Sequence, residues 1–368
     1  MEGVLIAPDR RWWWIAAGVP RLLSPEMYRN DELTKKYAPQ LKGLGLEAPA
    51  ATIARGRLGR IQSKTIDRFG SEWLRFRDWG YHPSPPNGDA LEFRGGLWEN
   101  TLAAFRSKTF LDGRLDGQLV LDAGCGNGRF TAAALAGGAR EVISVDIGWG
   151  VDATFDHHRD DPRVHVVQAS LFDLPIKAVD SAFSIGVLMH TGDAARAFGQ
   201  IASLIAPGGL FAVRLYHRGN WAHEIVDRGI RSLTTRLSKP IQLWFARAMA
   251  KLGTSFVVRE ARTVRVPSQM SSRVMWYQVL RNWPTVHHNL DWWTAPVATH
   301  HTVREVAAWG RASGLEIVRA DPRDLADRYR FWQWPEALTV LFEKPAAVEL
   351  PAMSRVPYAH TVAAGSFV

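Results

Sequence analysis

The feature that most constrains the fold is an apolar strand that ends in an acid and passes directly into a glycine-rich turn, Val120 to Gly128. Glycine recurs there at positions 124, 126 and 128, so the backbone can turn sharply and approach a ligand without a Cβ in the way. A helical stretch over 129–136 follows the turn. A strand, a tight turn and a helix in this order form the repeating unit of a parallel sheet.

Further apolar runs of strand length recur on both sides of long helical stretches. The predicted strands lie at residues 119–121, 141–146, 164–167, 181–185, 210–215, 315–318 and 337–342. Asp193 is expected to cap a helix over about 194–205, and Thr302 with Glu305 forms a capping-box sequence. The pattern predicts an α/β fold: a Rossmann-like, doubly wound, mostly parallel seven-stranded sheet, with a helical cap insertion after the fifth strand.

The net charge of +9 comes from one part of the chain. Residues 206–275 contain twelve Lys or Arg and three acids, which leaves the remaining residues about neutral. A basic balance is typical of proteins that contact nucleic acid, an anionic membrane or an anionic substrate. No RNA-binding motif accompanies this segment, so nucleic acid is the least favoured of these partners.

Cysteine content and hydropathy indicate the cellular compartment in which the protein is expected. Cys125 is the only cysteine, which excludes a disulfide framework and any multi-cysteine metal site. The first residues lack the pattern of a secretory signal, and no segment approaches the roughly 20 apolar residues that span a bilayer. We therefore expect a cytoplasmic protein without a bound metal.

The spacing of the glycine turn discriminates between cofactors. A dinucleotide-binding turn needs glycine at the position of Arg129, whereas here the third glycine stands one residue earlier, at Gly128. Asp146 ends the second strand and is placed to accept hydrogen bonds from ribose hydroxyls. The pattern favours a nucleoside site that is neither a dinucleotide site nor a phosphate loop.

The segment Asp122–Gly128 resembles the first motif of class I S-adenosylmethionine (SAM) dependent methyltransferases, of the type 11-like group. Three further stretches resemble later motifs of that family in the same order, at 168–175, 186–191 and 206–209. The resemblance covers roughly residues 120–216 and implies SAM as the cofactor. It also implies methyl transfer as the reaction.

Carried over to this chain, the resemblance implies a set of cofactor contacts. The glycine turn would lie along the methionine and ribose of SAM, Asp146 would bind the ribose diol, and Ser170 and Leu171 would flank the adenine, although the family commonly has Asp at the position of Ser170. The implied cofactor-binding residues are Asp122, Gly124, Gly126, Gly128, Asp146, Ile147, Ser170, Leu171 and Ile185.

Segments outside this core resemble parts of a bacterial group of these enzymes. Residues 13–23 resemble the closing strand of a small zinc-ribbon-like module without its cysteines; an accidental Gly-Val-Pro turn is the alternative. Residues 65–73 and 97–101 resemble lead-in segments that cover the cofactor.

The predicted organisation is a degenerate N-terminal arm over 1–60, a helical lead-in over 61–112, the SAM-binding core over 113–216, a basic aromatic cap over 217–299, the C-terminal part of the core over 300–344 and a loosely ordered tail over 345–368.

The acceptor depends on the cap insertion, where apolar residues recur at helical spacing among Arg and Lys between Trp221 and Leu252. A solvated cap, a lid over an anionic or lipid-linked substrate and a membrane-surface helix remain alternatives.

His190 and His217 follow the fourth and fifth strands and are the candidate catalytic bases. We expect a small-molecule or glycan-type substrate methylated on oxygen; peripheral membrane contact and a non-catalytic SAM-binding partner protein are the alternatives, and the oligomeric state is left open.

Overall fold

The computed structural model describes residues 1–23, 30–46, 56–83, 96–218, 221–253, 285–321 and 337–346. In these ranges the helices are α1 Asp31–Gly43, α2 Gly56–Arg75, α3 Trp98–Thr109, α4 Arg129–Ala136, α5 Gly150–His158, α6 Ala194–Leu204, α7 Trp221–Thr234, α8 Lys239–Gly253, α9 Val286–Thr294 and α10 Val303–Ala312. The strands are β1 Gly3–Ile6, β2 Trp12–Ala16, β3 Val19–Leu22, β4 Leu119–Ala123, β5 Glu141–Asp146, β6 Val164–Ala169, β7 Val179–Ile185, β8 Ile205–Tyr216, β9 Glu316–Asp321 and β10 Ala337–Glu343.

The described strands form one sheet, in the order β1-β2-β3-β6-β5-β4-β7-β8-β10-β9. Strands β3, β6, β5, β4, β7 and β8 run parallel to their neighbours in this series, and β10 is antiparallel to both β8 and β9. This confirms the expected α/β, mostly parallel sheet, with all seven predicted strands in it. The N-terminal residues add three strands to the seven that were predicted for the sheet, and two of them, β2 and β3, fall in the residues that resemble a zinc-ribbon strand, so the sheet has ten strands where seven were expected.

The additional strands extend one edge of the sheet. β2 and β3 form a hairpin through Ala17 and Gly18, whose φ angles of 51° and 86° suit a tight two-residue turn. β3 then pairs in parallel with β6, and the buried Arg21 donates to Gln168 and to Asp152 across the junction. The residues that resemble a zinc-ribbon strand thus cover an otherwise open strand edge.

Local capping signals appear where the sequence predicts them. The side chain of Asp193 accepts a hydrogen bond from Arg196 N at the start of α6, and Thr302 and Glu305 form a reciprocal capping box on α10. The predicted fifth strand is longer than expected, because β8 begins at Ile205 and includes residues 206–209. The core lies on both faces of the central strands, and within it the Phe198 ring contacts the rings of Phe211 and Phe342.

The predicted cap is only partly described. α7, α8 and α9 belong to it, whereas residues 254–284 lie outside the described residues, as does the expected tail beyond 346. α8 packs on α9 through Ala246 and Ala250, which are fully buried against Val286 and Leu290. α9 is therefore the inner helix of the cap, and α8 lies outside it.

Candidate active site

The glycine turn after β4 has a backbone that other residues rarely adopt. Gly124 and Gly126 have φ angles of 100° and 58°, and a Cβ on Gly124 would lie 2.2 Å from Val187 Cγ2. The amides of Gly124 and Cys125 donate to Val145 O on the neighbouring strand, at 2.7 and 3.0 Å. Glycine is therefore required for this turn, which brings unobstructed backbone to the carboxyl edge of the sheet.

Asp146 holds the turn in place from the end of β5. Its Oδ2 accepts a hydrogen bond from Gly126 N at 2.9 Å, and its Oδ1 accepts one from Gly148 N at 2.7 Å. Burial raises the pKa of this carboxyl above its ordinary value, while the Gly148 and Gly126 amides act in the opposite direction. Because each carboxylate oxygen has a second lone pair, Asp146 can accept further hydrogen bonds from a ligand.

A cavity of about 250 Å³ opens beside the turn and Asp146. One end is lined by Ile147, Ser170, Leu171 and Phe172, which follow β5 and β6. Ser170 Oγ accepts hydrogen bonds from Gln62 Nε2 of α2, at 2.9 Å, and from Phe172 N. The residue that departs from the family pattern is thus tied to the lead-in helix, which covers this end of the cavity.

The predicted cofactor residues divide into those that line the cavity and those behind it. Gly124, Asp146, Ile147, Ser170, Leu171 and Ile185 line it. Asp122, Gly126 and Gly128 do not: Asp122 is buried and accepts from Thr131 Oγ1 at 2.8 Å, and Gly126 and Gly128 lie closely against Trp73 and Thr154. Burial raises the pKa of Asp122 to about 7. These three residues shape the turn from within.

His190 lies at the cavity in a form that can accept a proton. It is 4% exposed, and its Nδ1–H donates to Val297 O at 2.6 Å. Its buried Nε2 has no hydrogen-bond partner within the described ranges. Burial lowers the pKa of His190 to about 3, so the ring is neutral near pH 7. A neutral imidazole with one nitrogen already donating leaves the other as an acceptor.

His217, the other candidate base, does not line the cavity, and this corrects the expectation from sequence. It is 2% exposed, and its Nδ1–H donates to Arg218 O at 2.8 Å. Tyr216, the last residue of β8, lines the cavity, whereas His217 follows the strand and forms a β-bridge with His301. The Tyr216 hydroxyl lies 3.5 Å from Asp291 Oδ2 on α9.

The cavity is also lined by three cations that we call the cation cluster: Lys108, Arg129 and Arg214. The Arg129 guanidinium lies over the rings of Trp79 and Phe130, at 4.2 and 4.5 Å. Burial lowers the pKa of Lys108 to about 7, and the charges of Arg129 and Arg214 act in the same direction. Neither Lys108 nor Arg129 forms an ion pair with any residue that the structure describes.

Sequence reasoning did not assign the cation cluster or the α9 residues of the cavity, His287, His288, Asp291 and Trp292, to the site. Lys108 lies on α3, Arg129 on α4, Arg214 on β8 and the other four on α9, so only packing brings them together. The one usable signal was Arg129, which directly follows the glycine turn.

A buried network joins the lead-in helix α2 to α9 beside the cavity. The Arg68 guanidinium donates to Glu72 Oε2, to Leu290 O and to Thr294 Oγ1, at 3.1, 2.8 and 2.5 Å. Burial raises the pKa of Glu72 to about 8, although the Arg68 charge opposes this. Because Arg68 and Glu72 are 6% and 2% exposed, this network fixes the position of α9 relative to α2.

We expect the buried histidines to make folding stability depend on pH. His190 and His287 are each 4% exposed, and burial lowers the pKa of His190 to about 3 and that of His287 well below its ordinary value. In the unfolded chain both titrate near about 6.5, so below that pH the unfolded state binds more protons. The contribution of these histidines to the free energy of unfolding should be full above about pH 6.5 and fall by up to about 1.4 kcal/mol per pH unit for each histidine below it, while the raised pKa values of Glu72 and Asp122 act in the opposite direction.

Urea unfolding between about pH 5 and about pH 8 measures this slope. Relative to the wild type, His190→Gln should make the free energy of unfolding rise less with pH below about pH 6.5, whereas the control His165→Gln, at an exposed position on β6, should leave the pH dependence unchanged. A His190→Gln variant with the same pH dependence as the wild type would contradict the expectation.

Comparison with known proteins agrees with the motif. Residues 121–213 match a family model described as a methyltransferase domain. The chain is 27% identical over 164 residues to a tRNA U34 carboxymethyltransferase of Colwellia psychrerythraea, covering 43% of this chain and 49% of that protein. It is 31% identical over 143 residues to the protein of the same name from Pseudoalteromonas translucida, covering 38% of this chain and 42% of that one. The chain thus spans about half, or less, of the length of these relatives.

Among solved structures, the chain is similar to the magnesium protoporphyrin IX methyltransferase of Synechocystis PCC 6803 with bound S-adenosylhomocysteine. The sequence identity is 16% and the TM-score 0.45, over 77% of this chain and 99% of that one. The match of residues 121–213 to a methyltransferase domain confirms the family that the glycine turn predicts. The chain carries a class I SAM-dependent methyltransferase domain.

Proposed function

We propose that the chain transfers a methyl group from SAM to an oxygen atom of a small-molecule or glycan-type acceptor that carries an anionic group. The observation that carries the proposal is one cavity that is lined both by Gly124 and Asp146 and by the cation cluster. Gly124 and Asp146 suit the donor, and the cation cluster suits an anion.

The residues present fit SAM. The open backbone of Gly124 and the carboxylate of Asp146 line the same cavity, and both Asp146 oxygens retain acceptor capacity. Ser170 and Leu171 would hold the adenine side, as the resemblance implies. Bound SAM supplies an electrophilic methyl group on a sulfonium. The protein's own part is to align the acceptor, exclude water and remove the acceptor's proton.

The position of the cation cluster supports an anionic acceptor. Arg214 lies on β8, three strands from Asp146 on β5 in the sheet order. Neighbouring strands lie about 4.8 Å apart, so the two side chains arise about 14 Å apart across the sheet. The donor would occupy the β6 to β4 side, which leaves the β7 to β10 side, with Arg214, to the acceptor. Two cations without a carboxylate partner in the described ranges favour a ligand that brings the negative charge.

His190 supports oxygen as the methylated atom. A hydroxyl group is a weak nucleophile and has to lose its proton as the new carbon–oxygen bond forms. Neutral His190 lines the cavity and its Nε2 has no partner in the described ranges, while Val297 O accepts from its Nδ1–H and orients the ring. His190 would therefore take the hydroxyl proton as the methyl group is transferred.

We expect Lys108→Met to weaken the acceptor and leave the donor unaffected. Losing one charged hydrogen bond should raise KM for anionic acceptors about 10-fold to 100-fold, with the Kd for S-adenosylhomocysteine within about threefold. The wild-type KM should also rise above about pH 7, where Lys108 loses its proton, and this rise should be absent in the variant.

Turnover is measured as release of S-adenosylhomocysteine, with anionic and neutral acceptors compared at several pH values. Lys177→Met, at an exposed lysine outside the cavity, is the matched control. If Lys108→Met loses S-adenosylhomocysteine binding and keeps its KM for the acceptor, the cation cluster binds the carboxylate of the cofactor and not the acceptor. Binding of SAM without turnover on any acceptor would favour a non-catalytic partner protein.

A second candidate acceptor is RNA. The curated relatives are named tRNA U34 carboxymethyltransferases, and the net charge of this chain arises from residues 206–275. These two observations weigh against the expectation that nucleic acid is not a partner. A mobility shift with tRNA across a salt series tests this candidate: affinity that falls steeply with salt, together with methylation of the RNA, would favour it over a small molecule.

A further inference from the structure

The cap exposes an unusual amount of apolar surface. Five of the twelve large apolar side chains that are exposed in the described chain fall within residues 225–244. They are Ile225, Leu233, Leu237, Ile241 and Trp244, exposed by 63, 66, 38, 48 and 68%. Single exposed apolar residues need no explanation, but a concentration of large ones on one surface is typical of an interaction site.

These side chains lie on the outer side of α7 and α8. In α7 the exposed Ile225 and Leu233 are separated by two intervals of four residues. The buried residues Asp227, Arg231 and Thr234 lie on the opposite side of the helix. In α8 the exposed Ile241 and Trp244 lie opposite the buried residues Gln242, Ala246 and Ala250. The core therefore does not use these apolar residues, although the sequence pattern alone would assign several of them to it.

The same outer side is basic. Its exposed cations are Arg228, Arg236, Arg247 and Lys251. The two acids of residues 221–253 face inward: Asp227 is 2% exposed and accepts from Trp292, and Glu224 lies 3.3 Å from His300. We call this surface, the five apolar side chains with the four cations, the outer cap face.

Apolar and basic side chains in this mixture match an anionic bilayer surface. Ile, Leu and Trp gain free energy by entering the boundary of headgroups and acyl chains, and Lys and Arg at that depth attract anionic lipids. RNA would pair with the cations but offers little to exposed Ile and Leu side chains. The described helices contain none that could cross a bilayer, so the contact would be peripheral.

The outer cap face lies one helix away from the cavity. The inner side of α8 packs on α9, and α9 contributes His287, Asp291 and Trp292 to the cavity wall. Packed helix axes are about 8–10 Å apart. A surface bound to α8 would therefore lie close to the acceptor half of the cavity.

We propose that the outer cap face docks the protein on an anionic membrane surface. This goes beyond the proposed function, because SAM binding and methyl transfer do not require it. It assigns a use to the exposed apolar residues and the basic charge together, which neither a solvated cap nor a purely soluble substrate explains.

The test is cosedimentation of the whole protein with vesicles of phosphatidylcholine alone and of phosphatidylcholine mixed with phosphatidylglycerol. We expect binding to the mixed vesicles, weakened by salt, and little binding to phosphatidylcholine. The double variant Leu233→Ser with Trp244→Ala should reduce binding about tenfold or more, because each side chain loses its burial. Arg236→Glu with Arg247→Glu should abolish the preference for phosphatidylglycerol.

Leu74→Ser removes an exposed apolar residue of α2 and is the matched control, expected to bind as the wild type does. Circular dichroism and the Kd for SAM, both unchanged, would show that the surface variants are folded and would separate this test from that of the proposed function. Wild-type protein that stays in the supernatant, or binding that the double variant retains, would overturn the proposal. The proposal would also be overturned if the wild type does not bind vesicles but binds tRNA or self-associates, and the double variant loses that tRNA binding or self-association.

Discussion

Replacing Asp146 with alanine is expected to raise the Kd for SAM about 100-fold. The substitution removes the carboxylate that lines the cavity, and it also removes the acceptor for Gly126 N and Gly148 N. Hydrogen bonds to a charged group contribute about 1.5–3 kcal/mol each, so the loss of ligand contacts alone accounts for about 10-fold to 100-fold. Release of the turn adds to this loss. Isothermal titration with SAM and with S-adenosylhomocysteine measures both affinities.

Glu141→Ala is the matched control, because Glu141 lies at the other end of the same strand and pairs only with exposed side chains in the described structure. It should bind SAM as the wild type does. If Asp146→Ala protein is folded, by circular dichroism, and binds SAM within about threefold of the wild type, Asp146 has no role in the donor site.

Replacing Arg68 with methionine is expected to lower the free energy of unfolding by about 3–5 kcal/mol. Arg68 is buried, and the variant leaves the Glu72 carboxyl in the interior without its guanidinium partner. It also removes the donors to Leu290 O and Thr294 Oγ1, the contacts that join α2 to α9. Urea unfolding followed by tryptophan fluorescence measures the change.

The exposed pair Asp67–Lys239 provides the comparison, since it also joins α2 to the cap, at 2.6 Å, but lies at the surface. Lys239→Met should cost less than about 1 kcal/mol. In Arg68→Met, the further change Glu72→Met should recover part of the loss, because the carboxyl is then no longer buried without a partner. Equal effects of the buried and the exposed substitutions would contradict this account of the network.

Two parts of the site illustrate what local sequence can and cannot predict. The turn from Gly124 to Gly128 and the acid at Asp146 are encoded within about 25 residues, and the fold brings them together through adjacent strands, as the motif implies. Which of the neighbours Tyr216 and His217 lines the cavity depends on long-range contacts, such as that of Tyr216 with Asp291 on α9, and the local sequence does not encode these contacts.

The sequence by itself determined the α/β class, the seven core strands, the caps of α6 and α10 and the SAM-type turn. Each of these rests on short-range periodicity or on backbone requirements that a few neighbouring residues satisfy. The tertiary structure decided the rest: the three N-terminal strands on the sheet edge, the meeting of Lys108, Arg129 and Arg214 in one cavity, and the outward side of α7 and α8. These features depend on contacts between residues distant in the chain, and the periodicity of a helix does not say which of its two apolar sides the core will cover.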